Sequence, residues 1–282
     1  MADILKGAPV VEGLRNRMRE QVSELAGNGI VPTLAVVRVG ERPDDLAYEK
    51  NIIRQADAVG VRLESVVLPE NSSSEDLVTK LKQLDEDSDV HGILLFRPLP
   101  KHFDDEAARL AISPAKDVDG CTDRSLGAVF TNKNEGFSPC TAQAVVEILS
   151  HYGIEVAGKK VAIIGRSLVV GKPLAMMLMK KNATVVNCHT GTKDIPEITR
   201  QADILVAASG KLNMVDESYV NSNQIVIDVG VNWDEEKNSI AGDVNYDMVE
   251  PLVSAITPVP GGVGGVTTCL LISHVIEAAL KR

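Results

Sequence analysis

Apolar positions along the first half of the chain alternate between two periods. Residues 9–27 carry them at helical spacing and stop near Gly27, whereas TLAVVRVG (33–40) reads as a strand with a glycine exit. The same two patterns then return. A helix is expected from about 44 to 59, closing at Gly60, followed by RLESVVLP as a strand and SSEDLVTKLKQLDED as a helix with a serine cap. VHGILLFRPLP reads as a buried strand running into a proline turn. Strand and helix in alternation predict a largely parallel sheet covered by helices.

A second alternation begins after SPCTAQAVVEILSHYG. KKVAIIG (159–165) is a continuous apolar strand and KPLAMMLMKK (172–181) its helix; ATVVNC (183–188), a helix near 194–202, DILVAAS and QIVIDVGVN follow. Short buried strands joined by short helices describe a doubly wound, Rossmann-like nucleotide-binding sheet. That sheet is complete by residue 257 on element counting, so the apolar helix CLLISHVIEAALKR is expected to fold back on the first domain. The fold class is α/β, with two αβ domains.

Length agrees, since 282 residues correspond to about two domains at ~150 residues each. A formal charge of −10 argues against non-specific nucleic-acid binding and against attraction to anionic membranes, while leaving room for a small anion held locally. The N-terminus has no secretory pattern, and no stretch approaches the ~20 apolar residues of a spanning helix. Cysteines 121, 140, 188 and 269 form no C-x-x-C pair, so no metal site is expected, and the plain reading is reduced thiols in a cytoplasmic protein. Cys188 and His189 are adjacent on a strand and point to opposite faces, which argues against a nucleophile–base pair.

Candidate chemistry concentrates in a few stretches. In IIGRSLVVGKP (163–173), Gly165 ends a strand and Gly171 opens a helix, whose free amides and partial positive charge suit a phosphate. The spacing is G-x-x-x-x-x-G rather than G-x-G-x-x-G, so an ordinary tight connection is the competing reading. After the next strand, NCHTGTKD has no acid before Asp194. That permits a 2′-phosphate without requiring it and, with Arg166 and Thr190 available, favours NADP; Arg166 is otherwise a solvated loop residue. PAKDVDGC (114–121) sets Asp117 and Asp119 on one face if extended, as a ligand site or as a turn with solvated acids. PVPGGVGG (258–265) excludes regular structure; it either wraps a flat ligand or links to the last helix. In LAYEKNIIRQ (46–55), Tyr48 shares a helix face with Ile52, while Lys50 and Arg54 lie roughly 200° and 240° further round at ~100° per residue. The phenol either packs on isoleucine or serves an active site.

With GRSLVVGKP, NCHTGT, DVDG, VIDVGVN and TPVPGGVGG in this order, the chain resembles the bifunctional methylenetetrahydrofolate dehydrogenase/methenyltetrahydrofolate cyclohydrolase family over essentially its full length. The resemblance implies a folate-binding catalytic domain over residues 1–142, an NADP-binding domain over 143–265 and a returning helix over 266–282. It also implies a folate cleft between the domains, NADP as cofactor, tetrahydrofolate derivatives as substrates and a cytoplasmic homodimer. Carried over by position, Gly165, Arg166, Ser167 and Thr190 contact NADP, and Val231 covers the nicotinamide side. Asp119 hydrogen-bonds the pterin, Tyr48 stacks over the folate near the reacting carbon, and Pro260 and Gly261 line the same cleft.

The chain also departs from the family pattern. The family's lysine four residues after the tyrosine is Ile52, its serine three residues before is Asp45, and the glutamine of V-Q-L-P-L-P is Phe96. Gly60 keeps the family spacing, which rules out a register error. Ala142 and Ala144 interrupt C-T-P-x-G, Gly265 and Val266 replace Pro-Met, and Leu212 replaces a proline. Oxidising the methylene bridge rests mainly on positioning, whereas hydrolysing the methenyl cation needs a group that moves protons. The departures therefore lead to the expectation of an NADP-dependent dehydrogenase with weak or absent cyclohydrolase. The alternative is the full bifunctional enzyme, with Asp45, Tyr48 or a bound water in the lysine's role. A non-catalytic folate- or nucleotide-binding subunit, or another dehydrogenase on the same plan, are readings from further afield.

Overall fold

A computed structural model describes residues 2–281. The chain divides into two compact units: residues up to Glu12 with Thr141–Thr267, and Gly13–Cys140 with the residues from Thr268 onward. The first domain expected from sequence began at residue 1. In the structure the opening residues instead join the other unit, because strand β1 (Asp3–Ile4) pairs in parallel with a late strand at Ala255–Ile256.

Helix α1 (Gly7–Gly27) leads into β2 (Thr33–Val39), α2 (Pro43–Asp57), β3 (Arg62–Leu68), α3 (Ser74–Glu86) and β4 (Gly92–Leu95). These strands form a parallel sheet in the order β3-β2-β4. Central β2 is buried at all seven positions and mostly apolar, its one charge, Arg38, being paired with Glu49 at 2.9 Å, while edge strand β3 is largely open. Ser73 caps α3 in a capping box with Asp76, and Leu77, Leu81 and Leu84 make the stripe that this helix buries. Two short helices, α4 (Asp105–Leu110) and α5 (Asp123–Thr131), follow. Residues 116–118 between them run beside β4, with Ile93 N donating to Lys116 O at 2.8 Å.

After α6 (Cys140–His151), the other unit is built from β5 (Lys160–Ile164), α7 (Gly171–Lys180), β6 (Thr184–Cys188), α8 (Ile195–Arg200), β7 (Ile204–Ala207) and β8 (Ile225–Asp228). A small antiparallel hairpin, β9 (Asn232–Asp234) with β10 (Ser239–Ala241), helix α9 (Tyr246–Val249) and β11 (Ala255–Ile256) complete it. All six sheet strands are parallel, ordered β1-β11-β8-β7-β5-β6. From β5 the chain goes out to β6 and returns to β7 on the opposite side. The strand order therefore reverses between β5 and β7, the switch point where ligands bind in such sheets.

The last helix, α10 (Val263–Leu280), starts inside the stretch expected to be irregular, so Val263, Gly264 and Gly265 are helical. From Thr268 on it belongs to the unit of β2, as the returning helix was expected to. By length and mean hydropathy (1.6) it could cross a membrane, but 67% of it is buried inside the protein. Its apolar character is that of a core helix, through Leu271, Ile272, Val275 and Ile276.

Candidate active site

In the unit of β2, helix α2 and the turn after residue 116 bring Tyr48 and Asp119 together. Tyr48 keeps 37% of its surface open, and its ring lies 5.6 Å from that of Phe96, tilted by 32°. Its hydroxyl end is crowded: Asp119 and Cys140 are close enough to act on it, and Thr268 on α10 hydrogen-bonds it. Thr268 Oγ1 also accepts from Asn51 Nδ2 at 3.3 Å. Burial, then the neighbouring Asp119 and Cys140, pushes the phenol far above its ordinary range, so it works as a neutral hydrogen-bonding group.

Asp119 has the opposite kind of shift. Burial first, and the charge of Asp117 second, raise it from 3.8 to about 7, against a thiol hydrogen bond from Cys140 and the charge of Arg97. The two aspartates of DVDG thus part company. Asp117 is fully buried and takes the amides of Cys121 (3.0 Å) and Thr122 (2.8 Å), closing the turn that aims its neighbour. Arg97 grips Asp105 with two nitrogens at 2.6 and 2.9 Å, which fixes its charge near the site. A carboxyl that titrates near neutrality beside a half-exposed aromatic ring is suited to exchanging protons at physiological pH.

Several positions singled out from the sequence lie on helix α2 with Tyr48. Ile52 has no exposed surface, whereas Tyr48 one turn earlier faces the opening; they share a helix face but not an environment. Asp45 is paired with Arg42 at 3.0 Å. Lys50 and Arg54 open onto an outer groove with Ala47, Ile53 and Asp57. Cys140 and Cys121 are both pushed well up, mainly by burial, so both stay thiols.

In the six-stranded unit the switch point carries the glycine loop. Gly165 leaves β5 at φ 140°, and a side chain there would strike the Ala208 carbonyl just past β7. Gly171 opens α7, where a Cβ would run into the Gly165 backbone, so the loop closes on itself only with glycine. Asn187 Nδ2 ties the two together, donating to Gly165 O at 2.9 Å and Gly171 O at 3.2 Å. Ser167 Oγ accepts from Val170 N at 3.1 Å, and Arg166 and Ser167 are exposed at the mouth of this loop. Ile164 pairs with Cys188, so exposed Thr190 leaves the neighbouring strand end at the same level. His189 Nδ1 accepts from Gly191 N while Cys188 is buried, and no nucleophile pair forms.

Val231, 67% exposed, projects from a loop fixed by two buried aspartates that sequence reasoning did not single out. Asp228 accepts from the amides of Gly230, Asp243 and Val244; Asp243 accepts from Ser209, Gly210, Lys211 and Asn232. Burial raises Asp228 to about 6 despite those amides. Pro260 and Gly261 are exposed and belong to this unit, with Gly261 O receiving Gly7 N at 2.8 Å. Arg97, Thr268, Asn187 and Asp243 were likewise missed. LFRPLP and NCHTGT contained two of them, but only tertiary neighbours reveal what they touch. Among the described residues no cluster of His, Cys, Asp or Glu is arranged to hold a metal.

Comparison with known proteins supplies the family. Residues 5–119 match the tetrahydrofolate dehydrogenase/cyclohydrolase catalytic domain, and residues 139–282 match the NAD(P)-binding domain of the same enzymes. "Bifunctional protein FolD 1" of Desulfitobacterium hafniense is 46% identical over 282 residues, all of both chains. The bifunctional FolD methylenetetrahydrofolate dehydrogenase/cyclohydrolase of Campylobacter jejuni superposes with a TM-score of 0.97 at 36% identity, covering 100% of both chains. The Trypanosoma brucei dehydrogenase-cyclohydrolase, solved with NADP cofactor and inhibitor, gives 0.93 at 34% identity, covering 99% of this chain and 98% of that one. These matches overturn the expectation of a dehydrogenase with weak or absent cyclohydrolase. Relatives aligned end to end with this chain carry the bifunctional name, so isoleucine at 52 and phenylalanine at 96 give no ground for reading one activity as lost. An NAD(P)-dependent dehydrogenase on a two-unit α/β fold, the chain belongs to the tetrahydrofolate dehydrogenase/cyclohydrolase family.

Proposed function

We propose that this protein oxidises methylenetetrahydrofolate with NADP and hydrolyses the methenyl product to formyltetrahydrofolate. The observation that carries the reading is Asp119, raised to about 7 beside Tyr48 in the unit that matches the catalytic domain. Ile52 and Phe96 stand where the family has lysine and glutamine, so the proton-handling group has to come from elsewhere in the site. Asp119 as carboxylate takes a proton from the water that attacks the bridge carbon; as acid it returns one to the departing pterin or anilino nitrogen. Water and the methenyl cation thereby become the formyl compound and one released proton. Tyr48, kept neutral, stacks its open ring on the folate and donates its hydroxyl hydrogen.

The residues of the six-stranded unit fit a dinucleotide. A glycine loop at the switch point, the N-terminus of α7 and exposed Arg166, Ser167 and Thr190 suit phosphates, and Val231 suits the nicotinamide side. NADP, when bound, supplies the hydride acceptor. Arg166, the absence of an acid between β6 and Asp194 and the NADP of the Trypanosoma brucei relative support NADP over NAD. Pro260 and Gly261 are assigned to the folate, and the protein to a cytoplasmic homodimer, testable by sedimentation and fractionation. The reading is tested by incubating the purified protein with methylenetetrahydrofolate and either nucleotide and identifying the folate formed. NADP reduction with formyltetrahydrofolate as end product is the expected result; no folate-dependent reduction of either nucleotide overturns it.

A further inference from the structure

We propose that the buried ion pair of Arg38 and Glu49 is a positioning device for Tyr48, fixing how far α2 is turned on its sheet and so where the phenol ring meets the folate. The inference rests on the reading of Tyr48 as the ring that stacks on the substrate. Arg38 on β2 and Glu49 on α2 are both buried, and neither takes part in the proton transfers. Arg38 Nε donates to Glu49 Oε2 at 2.9 Å, while its Nη1 donates to the carbonyl of Gly40, where the chain leaves β2. The other carboxylate oxygen, Oε1, accepts from the hydroxyl of Ser65 on β3. One carboxylate of α2 is thus held from two neighbouring strands at once.

Such a pair adds little to stability, because the cost of taking both charges out of water roughly offsets their attraction. What it adds is direction. Ile52 and Ala56 seal α2 to the core by apolar contact, which resists separation far more than turning. No side chain caps the start of α2, and the bonds that Arg42 makes there are exposed to solvent. Arg15 on α1 holds Gln55 at 2.7 Å near the far end of the helix, so the pair at Glu49 governs the end that bears Tyr48. Tyr48 is the residue just before Glu49, and its ring lies 5.6 Å from that of Phe96. Phe96 N in turn donates to the carbonyl of Val37 at 2.8 Å. Consecutive residues of β2, Val37 and Arg38, therefore hold both the surface under the ring and the helix that carries it. A side chain reaches ~6 Å from its helix axis, so a turn of about 10° shifts the ring by ~1 Å. Misplacement on that scale can cost ~100-fold in rate.

The test is a double-mutant cycle on kcat/KM for methylenetetrahydrofolate, with Arg38→Met/Glu49→Leu placed in the wild type and in Tyr48→Ala. Nucleotide binding by each preparation is the check of folding. Replacing both charges by apolar groups strands neither, so the urea midpoint should stay near that of the wild type. In the wild type the replacement lowers kcat/KM ~10–100-fold with the KM for NADP unchanged, and in Tyr48→Ala it costs less than ~3-fold. An equal loss in both backgrounds, or no loss in either, overturns the proposal and leaves the role of Tyr48 standing. A wild-type kcat/KM in Tyr48→Ala sinks both. Where the apolar pair does not fold, Glu49→Gln decides alone, since its amide keeps the shape and loses the charge. A loss of ~3–10-fold that vanishes in Tyr48→Ala is then expected, and a loss undiminished there contradicts the proposal.

Discussion

Asp119→Asn should make the protein more stable and less active at once. Folding takes this carboxyl from an ordinary 3.8 to about 7, so the folded state holds its proton over a range where the unfolded chain has released it. Stability therefore falls as pH rises from about 4 to 7, and above 7 the ionised group costs its full amount. At ~1.36 kcal/mol per pH unit that cost is roughly 4 kcal/mol at pH 8 and under half of that at pH 5. These are upper limits, because Asp119 keeps part of its surface open. Asparagine has the same shape and no charge to bury. We expect a gain of about 1–3 kcal/mol at pH 8, or ~2–8 °C in Tm, shrinking toward pH 5. Urea and thermal unfolding of wild type and variant, without ligands, from pH 5 to 8.5 read this directly. The contribution of Asp228, raised to about 6, is common to both proteins and cancels. Folate turnover by the variant should drop by ~100-fold or more. A variant less stable than wild type at every pH, or a gain that does not depend on pH, refutes the placement of a strained carboxyl at 119.

Three further outcomes concern the six-stranded unit. Gly171→Ala drives a methyl into the Gly165 backbone and should weaken NADP binding more than ~10-fold while leaving folate binding intact, as titration of each ligand will show. Arg166→Ala should raise the KM for NADP about 10-fold and leave that for NAD unchanged, if the guanidinium meets a 2′-phosphate. Asp243→Ala strands the amides of Ser209, Gly210 and Lys211 and should cost about 2–4 kcal/mol in urea unfolding, with weakened nucleotide binding as the loops at 209–211 and 230–232 loosen.

The sequence was legible where burial is two-sided. β2 and β5 are mostly apolar because both faces of each strand are covered, and Leu77, Leu81 and Leu84 declare α3 by their spacing. It was silent where an element is too short for any period: two residues make β1, yet their pairing with β11 goes with residues 2–12 belonging to the other unit. The glycines of PVPGGVGG argued against helix, and α10 nevertheless begins at Val263, since packing of its apolar face outweighs the poor propensity of Gly264 and Gly265. Site residues divide in the same way. Tyr48 and Asp119 stand in recognisable stretches, and Gly165 and Gly171 punctuate a strand–helix loop. Arg38 and Glu49 sit on a strand and the helix after it, and only the fold shows that they meet. The residues of DVDG alone left both aspartates open and the resemblance singled out Asp119; the amides of Cys121 and Thr122 on Asp117 show that Asp117 is the one that closes the turn.

The most direct test of the account is the decay of methenyltetrahydrofolate absorbance with purified protein and no nucleotide, corrected for spontaneous hydrolysis. NADP reduction by the same preparation serves as the check of folding. We expect decay well above the spontaneous rate, abolished by Asp119→Asn. Dehydrogenation by a protein that leaves the methenyl decay at its spontaneous rate would contradict the account.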